Sequence, residues 1–213
     1  MDGTRVVLGA PVHCTRDVVG EIADVLVDPA DRRLTHVVVR ARDDVARLVP
    51  AELVTWSPGG RSGLTLTCTE AQLLTLKTIR RFEYLGLSDQ PEPDRNTDVG
   101  VEDMVAMPNY EATAFGDYVG DFEAVVGLTY DQIPKGRVEL RRSSAVRSAA
   151  GERTLGHVDG FIVRAGEITH VVVEWGHLWR MRHAAIPVDA ITTIDTDQIT
   201  VGMSKDDLRE LVV

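Results

Sequence analysis

The sequence predicts a mainly β protein with two small β-barrels in tandem, each followed by a short helix and joined by an acidic linker. A strand-rich segment occurs twice in the same order, its apolar residues are β-branched or alternate, and negative charge is concentrated between the copies. With 213 residues and 44% hydrophobic content, the chain is long enough for two small domains. The expected boundaries are 1–86 for the first barrel, 87–136 for the connector and 137–213 for the second barrel.

Five sequence blocks recur in the same order with nearly constant spacing. The small changes in spacing fall in turns, where insertions cost little. Chance explains such an ordered set poorly, so both halves are expected to share one fold. The matched blocks are 20–27 with 156–163, 34–39 with 168–173, 49–54 with 186–191, 64–66 with 199–201, and 69–73 with 204–208.

The two Thr-His-Val-Val-Val segments predict strands whose alternate residues share one face. His36 and His170 lie on the opposite face, which is expected to be an exposed interaction surface. The predicted core face contains Thr35, Val37, Val39 and Ala41 in the first half, and Thr169, Val171, Val173 and Trp175 in the second.

Each half closes with a helix signal. Thr69 with Gln72, and Ser204 with Asp207, have the spacing of a capping box just before leucine-rich segments. About six short strands precede each helix, and such strands bury their faces best by curling into a closed barrel, which also removes exposed edges.

The acidity of the chain belongs to its centre. Residues 88–131 contain 11 acidic residues and one basic residue, which accounts for the formal net charge of −10 and leaves the flanks neutral. Neutral flanks argue against nucleic-acid binding, which requires basic groups to displace counterions from phosphates. Residues 88–103 are expected to form a flexible, self-repelling linker.

The rest of the connector is rich in aromatic residues, whereas purely solvating linkers are aromatic-poor. Two interpretations stay open: the rings pack against this chain, or they form a recognition segment that folds on a partner. The aromatic residues are Tyr110, Phe115, Tyr118, Phe122 and Tyr130.

The densest cluster of aromatic and basic residues lies in 175–183, where the spacing predicts a hairpin three residues longer than its counterpart. Aromatic residues with arginines are typical of interaction hot spots. The alternative places Trp175 in the core and Trp179 over a barrel end. The predicted interaction residues here are Trp175, His177, Trp179, Arg180, Arg182 and His183, and the acidic aromatic segment is a candidate partner.

No residue pattern predicts catalysis, a metal site or a cofactor. His13 and Cys14 are adjacent and point to opposite sides of a strand, while Cys14 and Cys68 are expected to be packing residues. Asp159 is expected to bind turn amides. The chain shows no secretory signal and no apolar stretch near the ~20 residues that cross a bilayer, so a cytoplasmic location is expected.

The pattern resembles the PRC-barrel family, and in particular its two-barrel members from actinobacteria. The resemblance rests on a glycine before an alternating strand, a turn, an apolar strand, and an apolar–proline step at Pro50 and Pro187. It covers about residues 5–76 and 137–212. The family includes the cytoplasmic domain of the photosynthetic reaction-centre H subunit and the C-terminal domain of a ribosome maturation factor, and its shared theme is docking onto macromolecules.

The resemblance implies a non-catalytic protein-interaction or scaffold module with a protein partner of unknown identity, and the matching barrels leave a homodimer open. The chain is expected to lack the H subunit's membrane helix and the maturation factor's N-terminal domain, so neither specific role is carried over. One alternative is an RNA- or ribosome-associated factor, which requires a basic patch. A second is a small-ligand binder or an unrecognised enzyme, which requires a deep polar pocket.

Overall fold

The computed structural model describes residues 3–15, 17–56, 63–86, 90–105, 125–151, 154–177 and 180–211. Strands dominate these ranges, which confirms the mainly β prediction. The elements are β1 Thr4–Val7, β2 Pro11–Cys14, β3 Asp17–Asp28, β4 Arg33–Ala41, β5 Ala46–Pro50, β6 Val54–Thr55, β7 Leu64–Leu66, α1 Glu70–Leu74, β8 Arg80–Gly86, β9 Thr97–Val105, β10 Val125–Pro134, β11 Val138–Arg141, β12 Ala145–Ser148, β13 Thr154–Arg164, β14 Glu167–His177, β15 Arg180–Pro187, β16 Ile191–Asp195, β17 Gln198–Val201 and α2 Lys205–Glu210.

The described residues group into two compact units. The repeat unit comprises Met1–Ile79 with Gly136–Val213, and the connector unit comprises Arg80–Lys135. The division into domains at 1–86, 87–136 and 137–213 stays a prediction about independently folding parts.

Both repeats of the repeat unit use the same strand pairings. The first repeat (β2 to β7 with α1) pairs β2 with β3, β3 with β4 and β4 with β5 in antiparallel fashion, and β2 with β7 in parallel. The second repeat (β12 to β17 with α2) repeats these pairings with β12, β13, β14, β15 and β17. The duplicated sequence blocks therefore correspond to a duplicated pairing pattern.

The first strand of each half belongs to the other repeat. β1 lies antiparallel to β13 of the second repeat, with Thr4 opposite Val163. β11 lies antiparallel to β3 of the first repeat, with Val138 opposite Val27. This reciprocal strand exchange was not predicted, because each half was expected to be self-contained.

The two repeats also join directly through β4 and β14, where Arg33 is opposite Glu167. The Leu34 N–H donates to Gly166 O at 3.2 Å, and the Ile168 N–H donates to Arg32 O at 3.3 Å. These equivalent bonds make a single sheet that runs through both repeats.

A glycine in each repeat lets β3 and β13 approach the next strand closely. A Cβ atom at Gly20 would lie 2.2 Å from Arg40 O, and one at Gly156 would lie 2.4 Å from Glu174 O. No side chain fits at such a distance, so this glycine is fixed by packing.

The predicted core face is buried, but the opposite face is not as exposed as expected. Val38 and Val172, which share the face of the histidines, are 0% and 2% exposed. His36 and His170 are themselves half-buried. The prediction of an exposed histidine-bearing surface is therefore wrong. Val38 and Val172 lie beside the histidines on this face and are buried against other parts of the protein.

Both predicted capping boxes are confirmed. The Thr69 side chain accepts from Gln72 N–H and the Ser204 side chain accepts from Asp207 N–H, each with the reciprocal side-chain bond to the cap backbone. The residues that begin α1 and α2 were therefore readable from sequence.

The connector unit contains a three-stranded antiparallel sheet in the order β8, β10, β9. β9 covers residues 97–103, which the charge pattern had assigned to a flexible linker, so that prediction is wrong there. Thr97 and Val101 are 6% and 9% exposed, and β9 pairs with β10 despite the acidic residues along it. In the described part of the chain, no helix has the length and apolar character to cross a membrane.

Candidate functional site

The β14–β15 hairpin is longer than its counterpart in the first repeat. There the β4–β5 pairing ends at Arg40 opposite Ala46, which corresponds to Glu174 opposite His183. In the second repeat three more pairs follow: Trp175 with Arg182, Gly176 with Met181, and His177 with Arg180. The spacing had predicted a hairpin that is three residues longer. We call these six residues the hairpin extension.

Trp175 anchors the hairpin extension to the core. It is 8% exposed and packs with the main hydrophobic cluster, in line with the packing alternative. The exposed Arg182 side chain lies over its ring, with Cζ 5.7 Å from the ring centre, a distance at which the cation is attracted to the π face. Trp175 Nε1 is buried and has no hydrogen-bond partner among the described residues.

The outer edge of β15 exposes backbone groups in an alternating pattern. The Ala185 N–H points away from β14 and donates to Leu211 O at 3.3 Å. Since the β14–β15 register is regular from Pro187 to Arg180, the backbone groups of His183 and Met181 also point outward. No strand pairs with Met181 on that side in the ranges that the structure describes.

The corresponding edge of the first repeat is covered. The Leu48 N–H on β5 donates to Lys77 O at 2.9 Å, and the Ile79 N–H donates to Ala46 O at 3.2 Å. The chain after α1 thus runs along β5 up to the end of its hairpin. The hairpin extension has no counterpart in β5, and among the described residues the last backbone bond on its outer side is the one from Ala185 to Leu211.

A charged cluster forms the base of the hairpin extension, with Asp159 at its centre. The Asp159 side chain is 5% exposed and lies where β13 bulges. Its carboxylate is 3.4 Å from Arg5 Nη2, 3.5 Å from Arg142 Nη2 and 3.7 Å from His183 Nε2. The expectation that Asp159 binds turn amides is therefore wrong: a buried carboxylate needs compensating charge, and the guanidinium groups of Arg5 and Arg142 supply it.

Glu174 completes the charged cluster. Its carboxylate lies 3.7 Å from Arg142 Nη2 and 4.0 Å from His183 Nε2. Arg5 arrives on the exchanged strand β1, and Arg142 follows the exchanged strand β11. The strand exchange therefore delivers two cations to the base of the hairpin extension.

The structure brings together only part of the predicted interaction surface. Trp175, Arg182 and His183 lie together, whereas only the backbone of His177 and Arg180 is described. Sequence reasoning missed Met181 and the cluster residues from distant strands, since no local pattern links them. The predicted residues Trp179, Tyr110, Phe115, Tyr118 and Phe122 lie outside the described residues.

The repeated Thr-His pairs have a structural role in both repeats. The Thr35 hydroxyl donates to Leu26 O at 3.0 Å, so its oxygen is left to accept from His36 Nδ1 at 3.2 Å. Thr169 and His170 repeat the arrangement at 3.0 and 3.1 Å. Burial lowers the pKa of His36, opposed by Glu52, which favours the neutral ring.

An open groove of about 370 Å³ lies in the first repeat, lined by residues that include Val18, Glu21, Arg40 and Arg42. Arg40 bridges to Glu21 at 4.0 Å. The groove is wide and solvent-facing, unlike the enclosed cavities that hold small ligands.

Comparison with known proteins returned no match, whether to protein-family models, curated proteins or solved structures.

Proposed function

We propose that this protein is a non-catalytic interaction module of the PRC-barrel type, and that it binds an extended acidic polypeptide along the outer edge of β15. The observation that carries the proposal is the outer backbone edge at Met181, with which no described strand pairs, in contrast to the covered edge of β5. Extended segments add to such edges by main-chain hydrogen bonds.

The edge has the features of a short docking strand. Met181 is 48% exposed and offers an apolar contact next to its outward N–H and C=O groups. Long open edges risk aggregation, and natural proteins keep them short and charged. The extension of only a few residue pairs, with Arg182 beside Met181, fits an edge that selects its partner.

The charge of the surroundings favours an acidic partner. The side chains of Arg5 and Arg142 are 53% and 59% exposed, and Arg182 is exposed as well. These three arginines exceed the two carboxylates of Asp159 and Glu174. Opposite charge on the partner would fix the register of the added strand.

We assign no proton-transfer role to Asp159 and His183, although the two are neighbours. The Asp159 carboxylate is shared by two guanidinium groups, from Arg5 and Arg142. Its arrangement suits a structural support for the hairpin extension.

A peptide titration tests the proposal. A synthetic peptide of alternating Glu and Thr residues should bind, and one of alternating Lys and Thr should not. Met181→Pro removes the outward N–H without removing a bond to β14, so binding should weaken by about tenfold or more. Met181→Gln is the matched control and should bind within about twofold of the wild type. Equal binding of both peptides, or unchanged binding by Met181→Pro, would overturn the proposal.

A further inference from the structure

The two faces of β15 present different side chains at its outer edge. In the hairpin register His183 is opposite Glu174, and Arg182 is opposite Trp175. Opposite residues of paired strands share a face, and successive residues alternate between faces. His183 therefore lies on the face of the charged cluster, whereas Arg182 lies on the face of Trp175. A strand that adds to this edge has a different set of neighbours on each of its own faces.

The face of the charged cluster presents mainly positive charge to solvent. Arg5 and Arg142 contact the Asp159 carboxylate, yet their side chains are 53% and 59% exposed. The acidic side chains of the cluster are less accessible, since those of Asp159 and Glu174 are 5% and 22% exposed. This face therefore favours acidic side chains on an added strand.

The opposite face suits an aromatic side chain. Arg182 is exposed, and its Cζ lies 5.7 Å from the centre of the Trp175 ring. Guanidinium groups stack on aromatic rings, and the exposed side of Arg182 is accessible to a second ring. The strand that fits this edge best therefore alternates acidic and aromatic residues.

Residues 117–123, which lie outside the described residues, have this alternation in the sequence Asp-Tyr-Val-Gly-Asp-Phe-Glu. In an extended conformation the acidic side chains of this segment would share one face and its rings the other. Val105 and Gly127, on either side of the segment, are paired on β9 and β10, so it can bind elsewhere without separating those strands. The acidic residues are Asp117, Asp121 and Glu123, and the rings are those of Tyr118 and Phe122.

We propose that two copies of this chain form a dimer, in which residues 117–123 of each copy add as a strand to the outer edge of β15 of the other. The inference rests on the proposed function and names the acidic polypeptide that the edge binds. The acidic face of the segment meets Arg5 and Arg142, and its aromatic face meets Arg182. Each copy has one such edge and one such segment, so reciprocal binding closes the assembly at two copies.

The first test measures the oligomeric state of the full chain by sedimentation equilibrium. The wild type should dimerise, and the dimer should weaken at high salt because salt screens opposite charges. Asp121→Asn with Glu123→Gln should weaken it by about tenfold or more, since charged contacts are lost at both interfaces. Asp89→Asn with Glu92→Gln is the matched control, because it removes the same charge outside the segment, and its dimer should stay within about twofold of the wild type.

The second test locates the contact by photo-crosslinking. Met181→benzoylphenylalanine is introduced into unlabelled and heavy-isotope chains, which are then mixed. Cross-links to residues 117–123 should join light chains to heavy chains. Thermal melts establish that the variants fold, and Phe122→Ser, which leaves β15 unaltered, provides a second measure of the dimer if the variant at Met181 does not fold.

Three results would overturn the inference: a wild type that stays monomeric, cross-links found only within one chain, and a dimer that both segment variants leave unchanged. The Glu-Thr peptide separates this failure from that of the proposed function. If that peptide binds β15 of a monomeric chain, only the choice of partner is wrong. If it does not bind, and no dimer forms, the proposed function fails as well.

Discussion

The first and second repeats share a strand glycine and a capped helix, but they differ in the residues at the edges of their hairpins. Both have a glycine at which one strand closely approaches the backbone of the next, Gly20 and Gly156, and both end in a capped helix. Asp159, however, has the equivalent Ala23, and His183 has the equivalent Ala46. The positions at which backbones pack closely are thus the same in both repeats, whereas the residues at the strand edges and strand ends differ.

The largest loss of stability is expected at the strand glycine that both repeats share. Gly20→Ala should destabilise the protein by more than about 3 kcal/mol, because the new methyl group would overlap the Arg40 carbonyl. Gly156→Ala should cost the same in the second repeat. Gly151→Ala is the control and should change the free energy of unfolding by less than about 0.5 kcal/mol in urea denaturation, since a methyl group there would have no described atom within 4 Å. A tolerated Gly20→Ala would show that the strands do not approach as described.

The next effect tests the strand exchange. Val6→Ala and Leu140→Ala each remove a fully buried side chain and should cost about 2–3 kcal/mol. Because β1 pairs with β13, Val6→Ala should speed amide hydrogen exchange in the second repeat. Leu140→Ala should do so in β3 of the first repeat. Faster exchange in the repeat nearer in sequence would contradict the reciprocal pairing.

A smaller loss of stability is expected when Asp159, at the centre of the charged cluster, is replaced by the alanine of the first repeat. Asp159→Ala copies Ala23 and leaves Arg5 and Arg142 without their shared carboxylate. Both arginines are partly exposed, so the cost should be about 1–2 kcal/mol, below that of breaking a fully buried pair. Asp189→Asn is the control, because its 97% exposed side chain pairs only loosely with Arg32. If both substitutions lower the free energy of unfolding equally in urea denaturation, the buried ion pairs of Asp159 do not stabilise the protein.

The smallest effect concerns the turn of the shorter hairpin. Hydrogen bonds from Arg47 to Asp43, at 2.6 and 2.8 Å, lower the pKa of Asp43 to about 2. Since this folded-state pKa lies below the usual 3.8, the stabilisation is present above about pH 4 and is lost as the pH falls toward 2. A carboxyl NMR titration should give a pKa near 2, and Arg47→Gln should return it toward 3.8. An ordinary value in the wild type would contradict the ion pair.

Local patterns predicted the strands of the repeated blocks and both helices. Runs of β-branched residues located β4 and β14, and the Thr69 and Ser204 boxes located the helix starts. These features depend on neighbours in sequence, so a single sequence contains them. The charge pattern was misleading at β9, because strand pairing there depends on residues of β10 that lie 22 to 37 positions away, from Gly127 opposite Val105 to Pro134 opposite Thr97.

The site was only partly predictable for the same reason. The hairpin extension follows from the repeat spacing, and Trp175 and Arg182 stand out by type. The charged cluster joins Arg5, Arg142 and Asp159 across the exchanged strands. No pattern within the sequence of one strand indicates which other strand will pair with it. Whether another segment covers the outer edge of β5 or of β15 likewise depends on tertiary contacts. The sequence of the hairpin alone does not show it.

The most direct measurement compares amide hydrogen exchange on the two hairpin edges with and without the Glu-Thr peptide. We expect slower exchange at Met181 and His183, whose N–H groups point outward, and no change at Ala46 on the covered edge of β5. Unchanged exchange at Met181 in the presence of bound peptide, or equal slowing on β5, would contradict docking along β15.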